Sequence, residues 1–202
     1  YITLEDFKWI KAHGLNTVRI PVPHFIFGDD PAFCDPYVPC IESLDKAFDW
    51  AEETGLQILI DLHTAPDSQN GFDNGGICGV CKFWQKPENE ARVIKVLGML
   101  SERYAHRPAL FGVQILNEPI SPELWQHTVN RYLPSDPEYA AGSGPVPFEF
   151  LCSFYKKAYF EIRKYLDEDK VVMFHDGFRL KMWKEFMQTE EFKNVWLDTH
   201  IY

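Results

Sequence analysis

Short apolar runs near 15–22, 56–63, 109–118, 171–175 and 195–202 alternate with stretches of helical periodicity along the whole chain. Leu56 to His63 is almost purely Ile and Leu, and Val113-Gln114-Ile115-Leu116 reads the same way. Such continuous runs suit strands buried on both faces, as in a parallel sheet covered by helices. The intervening helices are predicted at Thr3–His13, Cys40–Thr54, Pro87–Arg107, Phe148–Leu166 and Leu180–Gln188. Leu4, Phe7 and Ile10 give the first its apolar stripe. Thr3 with Asp6 approaches a capping box, while Gly14 and Gly55 are stop signals. Thr64–Lys86 and Ile120–Pro147 read as long loops. Uninterrupted alternation leaves two architectures, an open doubly wound sheet or an eight-stranded (β/α)₈ barrel. No glycine-rich phosphate loop follows the first strand, which weakens the dinucleotide-binding option.

The strand ends discriminate further. They carry, in order, Arg19, His63, Asn117 with Glu118, His175 with Asp176, and His200 with Tyr202. Polar groups at the same end of five successive strands are hard to explain as core packing, and in barrels that end is the catalytic face. Period-two alternation places Asp61 with His63 on one face, and His200 with Tyr202 on one face. It points Asn117 and Glu118 apart, so both reach a common site only if the strand bulges or ends there. Pro119 cannot extend a ladder and should stop it. Taken singly, Glu118 reads as a loop carboxylate in water, and His63 as a satisfied core histidine.

Thirty acidic against twenty basic residues give a formal net charge of −10. That argues against a nucleic-acid surface, which needs a basic patch. No apolar run approaches the ~20 residues of a membrane span. The 202 residues are 46% hydrophobic, enough for one sizeable core. Cys34, Cys40, Cys78, Cys81 and Cys152 make an odd count, and Cys78-Gly79-Val80-Cys81 is a C-x-x-C. Zinc would need two further ligands at suitable spacing. Free thiols, with no metal and no cofactor, are the expectation. With no charged-then-apolar leader in view, a cytoplasmic protein is expected.

Val18-Arg19-Ile20-Pro21, Ile60-Asp61-Leu62-His63, Leu116-Asn117-Glu118-Pro119 and Thr199-His200-Ile201-Tyr202 together resemble glycoside hydrolase family 5, retaining glycosidases on a (β/α)₈ barrel. The loop Ala65-Pro66-Asp67-Ser68-Gln69-Asn70-Gly71-Phe72-Asp73-Asn74 is most similar to the exo-β-1,3-glucanase branch. The resemblance implies that Glu118 is the general acid/base. Arg19, His63, Asn117, His200 and Tyr202 would be its partners. Phe72 would be an aromatic clamp on the sugar beyond the cleaved bond, and Asp73 with Asn74 would line a glucose pocket. Phe25, Phe27, Trp84 and Trp125 lie in loops after strands, where an aromatic face can stack on a sugar or simply pack the loop; Trp84 is carried as a substrate-binding candidate.

The resemblance also sets expectations about extent and activity. The chain would be a single partial catalytic barrel over residues 1–202, holding about strands 2 to 6. The nucleophilic Glu would follow Tyr202, because Asp61, Asp176 and Asp198 do not match its motif. The implied activity is hydrolysis of β-glucosidic bonds in a β-glucan oligosaccharide or β-glucoside, as an exo-β-1,3-glucanase or β-glucosidase. An endo-β-1,4-glucanase, a β-1,6-glucanase, a glycoside-clearing glucosidase and a non-catalytic sugar-binding barrel stay open. No nucleic-acid or membrane partner is expected; the partner expected is the remainder of the barrel.

Overall fold

The computed structural model describes residues 2–29 and 40–201. Five strands form one sheet: β1 (Thr17–Val22), β2 (Gln57–Leu62), β3 (Leu110–Gln114), β4 (Val171–His175) and β5 (Val195–Asp198). Every neighbouring pair is parallel, and the spatial order is the order in sequence. An open doubly wound sheet would reverse direction at a switch point; this one does not, as a barrel segment requires. Among the described residues seven α-helices accompany it: α1 (Leu4–Ala12), α2 (Ile41–Thr54), α3 (Pro87–Tyr104), α4 (Pro122–Thr128), α5 (Pro137–Ala140), α6 (Phe148–Ile162) and α7 (Lys184–Met187).

The two faces of the sheet are chemically different. Ile58, Ile60, Leu62, Val113, Ile115, Val172 and Phe174 point outward and join one apolar core with Phe48 of α2, Val93 and Leu97 of α3, and Phe154 and Ala158 of α6. Register puts Asp61 beside Gln114, Gln114 beside Met173, and Met173 beside Trp196 on the opposite face. That inner face therefore carries the polar side chains. One extra residue, Phe111, interrupts the β2–β3 register between Ile58 and Leu59. Gly112 follows it, where the Val171 backbone of β4 leaves no room for a Cβ.

Local chemistry explains the boundaries. The Thr3 backbone N–H and hydroxyl both donate to the Asp6 carboxylate, at 2.7 and 2.9 Å. These bonds hold the Asp6 carboxyl below its usual range. Gly55 closes α2 at φ +70°. Several expected elements are shorter. The predicted helices 87–107 and 148–166 end at Tyr104 and Ile162, and the strand predicted over 195–202 ends at Asp198. The helix expected at 180–188 is a 3₁₀ turn at Leu180–Met182 followed by α7. The loop 120–147 is not bare, because α4 and α5 interrupt it. Each begins with proline at a first-turn position, and Ser121 and Asp136 accept the backbone N–H groups of Leu124 and Tyr139. Cys78, Cys81 and Cys152 are free thiols; Cys34 lies outside the described residues.

Candidate active site

The strand that reads as continuous to Glu118 pairs regularly only to Gln114. Beyond it, Ile115 N–H still donates to Met173 O, and Asn117 N–H to Leu62 O. Glu118 then takes φ +48°, a left-handed conformation uncommon for a residue with a side chain. That turn of the backbone cancels the alternation. Asn117 and Glu118, which a regular strand would aim to opposite faces, have side chains 3.4 Å apart from Asn117 Nδ2 to Glu118 Oε2.

What holds the backbone there is a glutamine in the preceding loop. Gln69 is fully buried. Its Nε2 donates to the carbonyls of His63 and Asn117, at 2.9 and 2.8 Å. Its Oε1 accepts from Ala65 N–H, and its own carbonyl accepts from Ile120 N–H. One side chain thus stitches the ends of β2 and β3 together on either side of the site. Arg179 does the same from the β4 side, donating to the carbonyls of Gly177, Ile120 and Val146.

The inner-face side chains form one connected network. Arg19 donates through Nε to Gln114 Oε1 and through Nη2 to Asn117 Oδ1, both at 2.7 Å. It also pairs with Asp61 at 3.1 Å. Asp61 is fully buried and accepts from His63 Nδ1 at 2.6 Å. Because its oxygen faces Arg19, the Asn117 amide presents Nδ2 to His63 Nε2 and to Glu118. Glu118 is 3% exposed, and its Oε1 lies 2.7 Å from His200 Nδ1. His200 Nε2 lies 3.1 Å from Asp198 Oδ2, which also accepts from Gln114 Nε2 at 2.8 Å. Five of the expected site residues (Arg19, His63, Asn117, Glu118 and His200) are therefore in direct contact through this network. Tyr202 lies outside the described residues.

Four network members were not singled out as site residues by the motifs: Asp61, Gln114, Asp198 and Gln69. Gln114 and Asp61 had a signal, each a strongly polar residue inside an apolar strand run. His175 lies at the end of β4 as expected, fully buried, its ring 4.5 Å from that of His200. Burial, with His200 as neighbour, lowers its pKa to about 4. Its Nδ1 accepts from Gly177 N–H, so the neutral ring carries hydrogen on Nε2. Glu118, His175 and His200 offer donor atoms within 4.8 Å of one another. A metal there would have to displace either the Gly177 contact or that hydrogen, so the tautomer disfavours one.

The loops after β2 and β3 build the wall beside the network. Phe72 is buried at 9% exposure, its ring 5.2 Å from Tyr132, while Asp73 and Asn74 are exposed at the loop tip. Trp84 is half-buried, and its indole N–H donates to Gly144 O at 3.2 Å. That bond fixes Trp84 as a joint between the two loops. Trp125 packs against Gly71, Phe25 stands edge-on to His24, and Phe27 packs on the core.

Asp67 is the second joint. It accepts from Lys86 Nζ at 2.6 Å, from Asn89 Nδ2 at 2.9 Å, and from the Tyr139 hydroxyl. Burial alone would push its carboxyl up, but these three donors outweigh burial and hold it below the usual range. A carboxyl depressed in the fold stabilises above its unfolded pKa, about 3.9, and loses that contribution as pH falls through the folded value. Asp67→Asn is therefore expected to lower the denaturation midpoint most near neutral pH, with the gap to wild type closing below about pH 4. A gap constant across that range would count against the assignment.

A family model described as cellulase (glycosyl hydrolase family 5) matches residues 1–135. A glucan 1,3-beta-glucosidase of Blumeria graminis is 34% identical over 206 aligned residues, covering 100% of this chain and 42% of that protein. A probable glucan 1,3-beta-glucosidase A of Aspergillus niger is 33% identical, again with 100% and 42% covered. The chain thus spans about two-fifths of the length of these curated relatives. Among solved structures, rutinosidase from Aspergillus niger superposes with TM-score 0.79 at 18% identity, covering 100% of this chain and 54% of that one. Endoglucanase Cel5A from Thermotoga maritima superposes with TM-score 0.64 at 20% identity, covering 100% and 53%. At such identities the superpositions show a shared fold.

Proposed function

The chain belongs to glycosyl hydrolase family 5, and on that premise we propose that Glu118 is the general acid/base of a retaining glycosidase removing glucose from β-1,3-glucan ends or β-glucosides. The observation that carries this reading is the placement of Glu118. It is a buried carboxyl at the carboxyl end of a central strand, turned by a left-handed backbone onto the same side as Asn117 and hydrogen-bonded to an imidazole. Glycosidic cleavage needs a proton on the leaving oxygen and a second carboxylate across the ring. A buried carboxyl retains its proton more readily than one in water.

The other side chains divide the remaining work. Asn117, its oxygen held by Arg19, directs its amide Nδ2 to His63 and Glu118 only at 3.4 Å, long contacts that can give way to a sugar 2-hydroxyl, a bond that strengthens in the transition state. Asp61 and Asp198 are already committed, to Arg19 with His63 and to Gln114 with His200. Neither suits a nucleophile, and the resemblance puts that carboxylate after Tyr202. The glucan 1,3-beta-glucosidase names of the relatives support the linkage. The test is hydrolysis of laminari-oligosaccharides by the intact protein, with products followed by proton NMR. Release of single glucose units, first as the β-anomer, is expected. First appearance of the α-anomer, or no cleavage of any β-glucoside, would overturn the reading; internal cleavage would replace exo with endo action.

A further inference from the structure

Asp198 and Gln114 are left without a role by that reading, yet both belong to the network around Glu118. Gln114 is fully buried on β3 and bonded at both ends. Its carbonyl oxygen accepts from Arg19, so its Nε2 is the atom directed to Asp198 Oδ2. The same Oδ2 lies 3.1 Å from His200 Nε2. A carboxylate oxygen can only accept, so His200 must carry hydrogen on Nε2 to make that contact. In a neutral imidazole this leaves Nδ1 as an acceptor, 2.7 Å from Glu118 Oε1.

We propose that Asp198, held by Gln114, is a positioning residue that keeps His200 in its Nε2–H tautomer, so that the hydrogen between His200 and Glu118 belongs to Glu118. The proposal rests on Glu118 being the acid/base. With Nδ1 as acceptor, an ionised Glu118 would oppose two acceptors at close range, whereas a protonated one donates. The acid form is thereby favoured before reaction. Glu118 passes its proton to the leaving oxygen as the nucleophilic carboxylate displaces that oxygen from the anomeric carbon, and recovers one from the water that attacks in the second displacement. Among the described residues, the other groups around this pair are Arg19 from β1, Asp61 and His63 from β2, Asn117 beside Glu118, and His175 from β4. Arg19 is engaged by Asp61, Gln114 and Asn117, His63 by Asp61, and His175 is neutral in its own Nε2–H form.

The test reads the tautomer directly, by nitrogen-15 NMR of His200 in the intact protein, beside the pH dependence of hydrolysis of an unactivated β-glucoside. Wild type is expected to show hydrogen on Nε2 alone at its pH optimum. Asp198→Ala removes the acceptor and leaves the Gln114 amide facing the ring. Hydrogen should then move to Nδ1 and donate to Glu118, and the alkaline limb should fall by about one pH unit. Asp198→Asn keeps an acceptor oxygen and should keep the Nε2–H form, which serves if the alanine variant does not fold. Hydrogen on Nδ1 or on both nitrogens in wild type would overturn the proposal, as would an unmoved limb in a folded Asp198→Ala. An Nε2–H His200 in a protein that hydrolyses no β-glucoside would uphold the Asp198 contact and sink the functional reading alone.

Discussion

Glu118→Gln in the intact protein should reduce hydrolysis of a natural β-glucan by about 10²–10⁴, the usual worth of general acid/base help. The amide keeps the shape and the polar contacts of the carboxyl but cannot deliver a proton. The loss should depend on the leaving group. An activated aryl glucoside needs little protonation, so its glycosylation step should suffer least. Its second step still needs the base, and a glycosyl-enzyme intermediate should accumulate. Azide, a nucleophile that needs no base, should then restore turnover and yield a β-glycosyl azide, since two displacements preserve configuration. A loop carboxylate with no chemistry predicts wild-type rates and no azide effect. Wild-type turnover of both substrates would end the assignment of Glu118.

Gly112→Ala should cost roughly 3 kcal/mol of stability, at the upper end for overpacked sites. A Cβ at Gly112 would collide with the Val171 carbonyl oxygen and stand 2.8 Å from Val171 Cβ. The obstacle is backbone of the neighbouring strand, so no rotamer change relieves it; β3 and β4 must separate. Their separation would move Gln114 and the end of β3, so activity should fall with stability. The measurement is a urea denaturation midpoint that drops with unchanged slope. Gly144→Ala is the control, because a Cβ there meets nothing within 4 Å. Equal midpoints for the two variants would show that the close approach of β3 and β4 does not constrain residue 112.

Residues 64–86 and 120–147 show where tertiary contacts overrode a plain reading. Their turn-rich composition reads as two independent loops, yet they form one wall. Cys81 N–H donates to Ser143, Gly144 N–H to Cys81 O, and Trp84 to Gly144 O, while Asp67 binds Tyr139. No periodicity records a contact between residues some sixty positions apart. The helices α4 and α5 within the second loop were visible in principle, as Ser121-Pro122 and Asp136-Pro137, a cap followed by a first-turn proline.

By itself the sequence determined the parallel order of the five strands, through apolar runs alternating with helices, and the end of the sheet that carries chemistry, through the polar residue closing each run. Local patterns suffice for both, because period and strand-end polarity are properties of neighbouring residues. Only the tertiary structure decided that Asn117 and Glu118 face the same side. Strand alternation forbids it, and the left-handed turn at Glu118 is imposed on a chain gripped by Gln69 and Arg179. Only the tertiary structure, too, gathered Gln114, Asp198 and His200 behind Glu118. Three strands must first align in register before four side chains, each polar for no local reason, can satisfy one another.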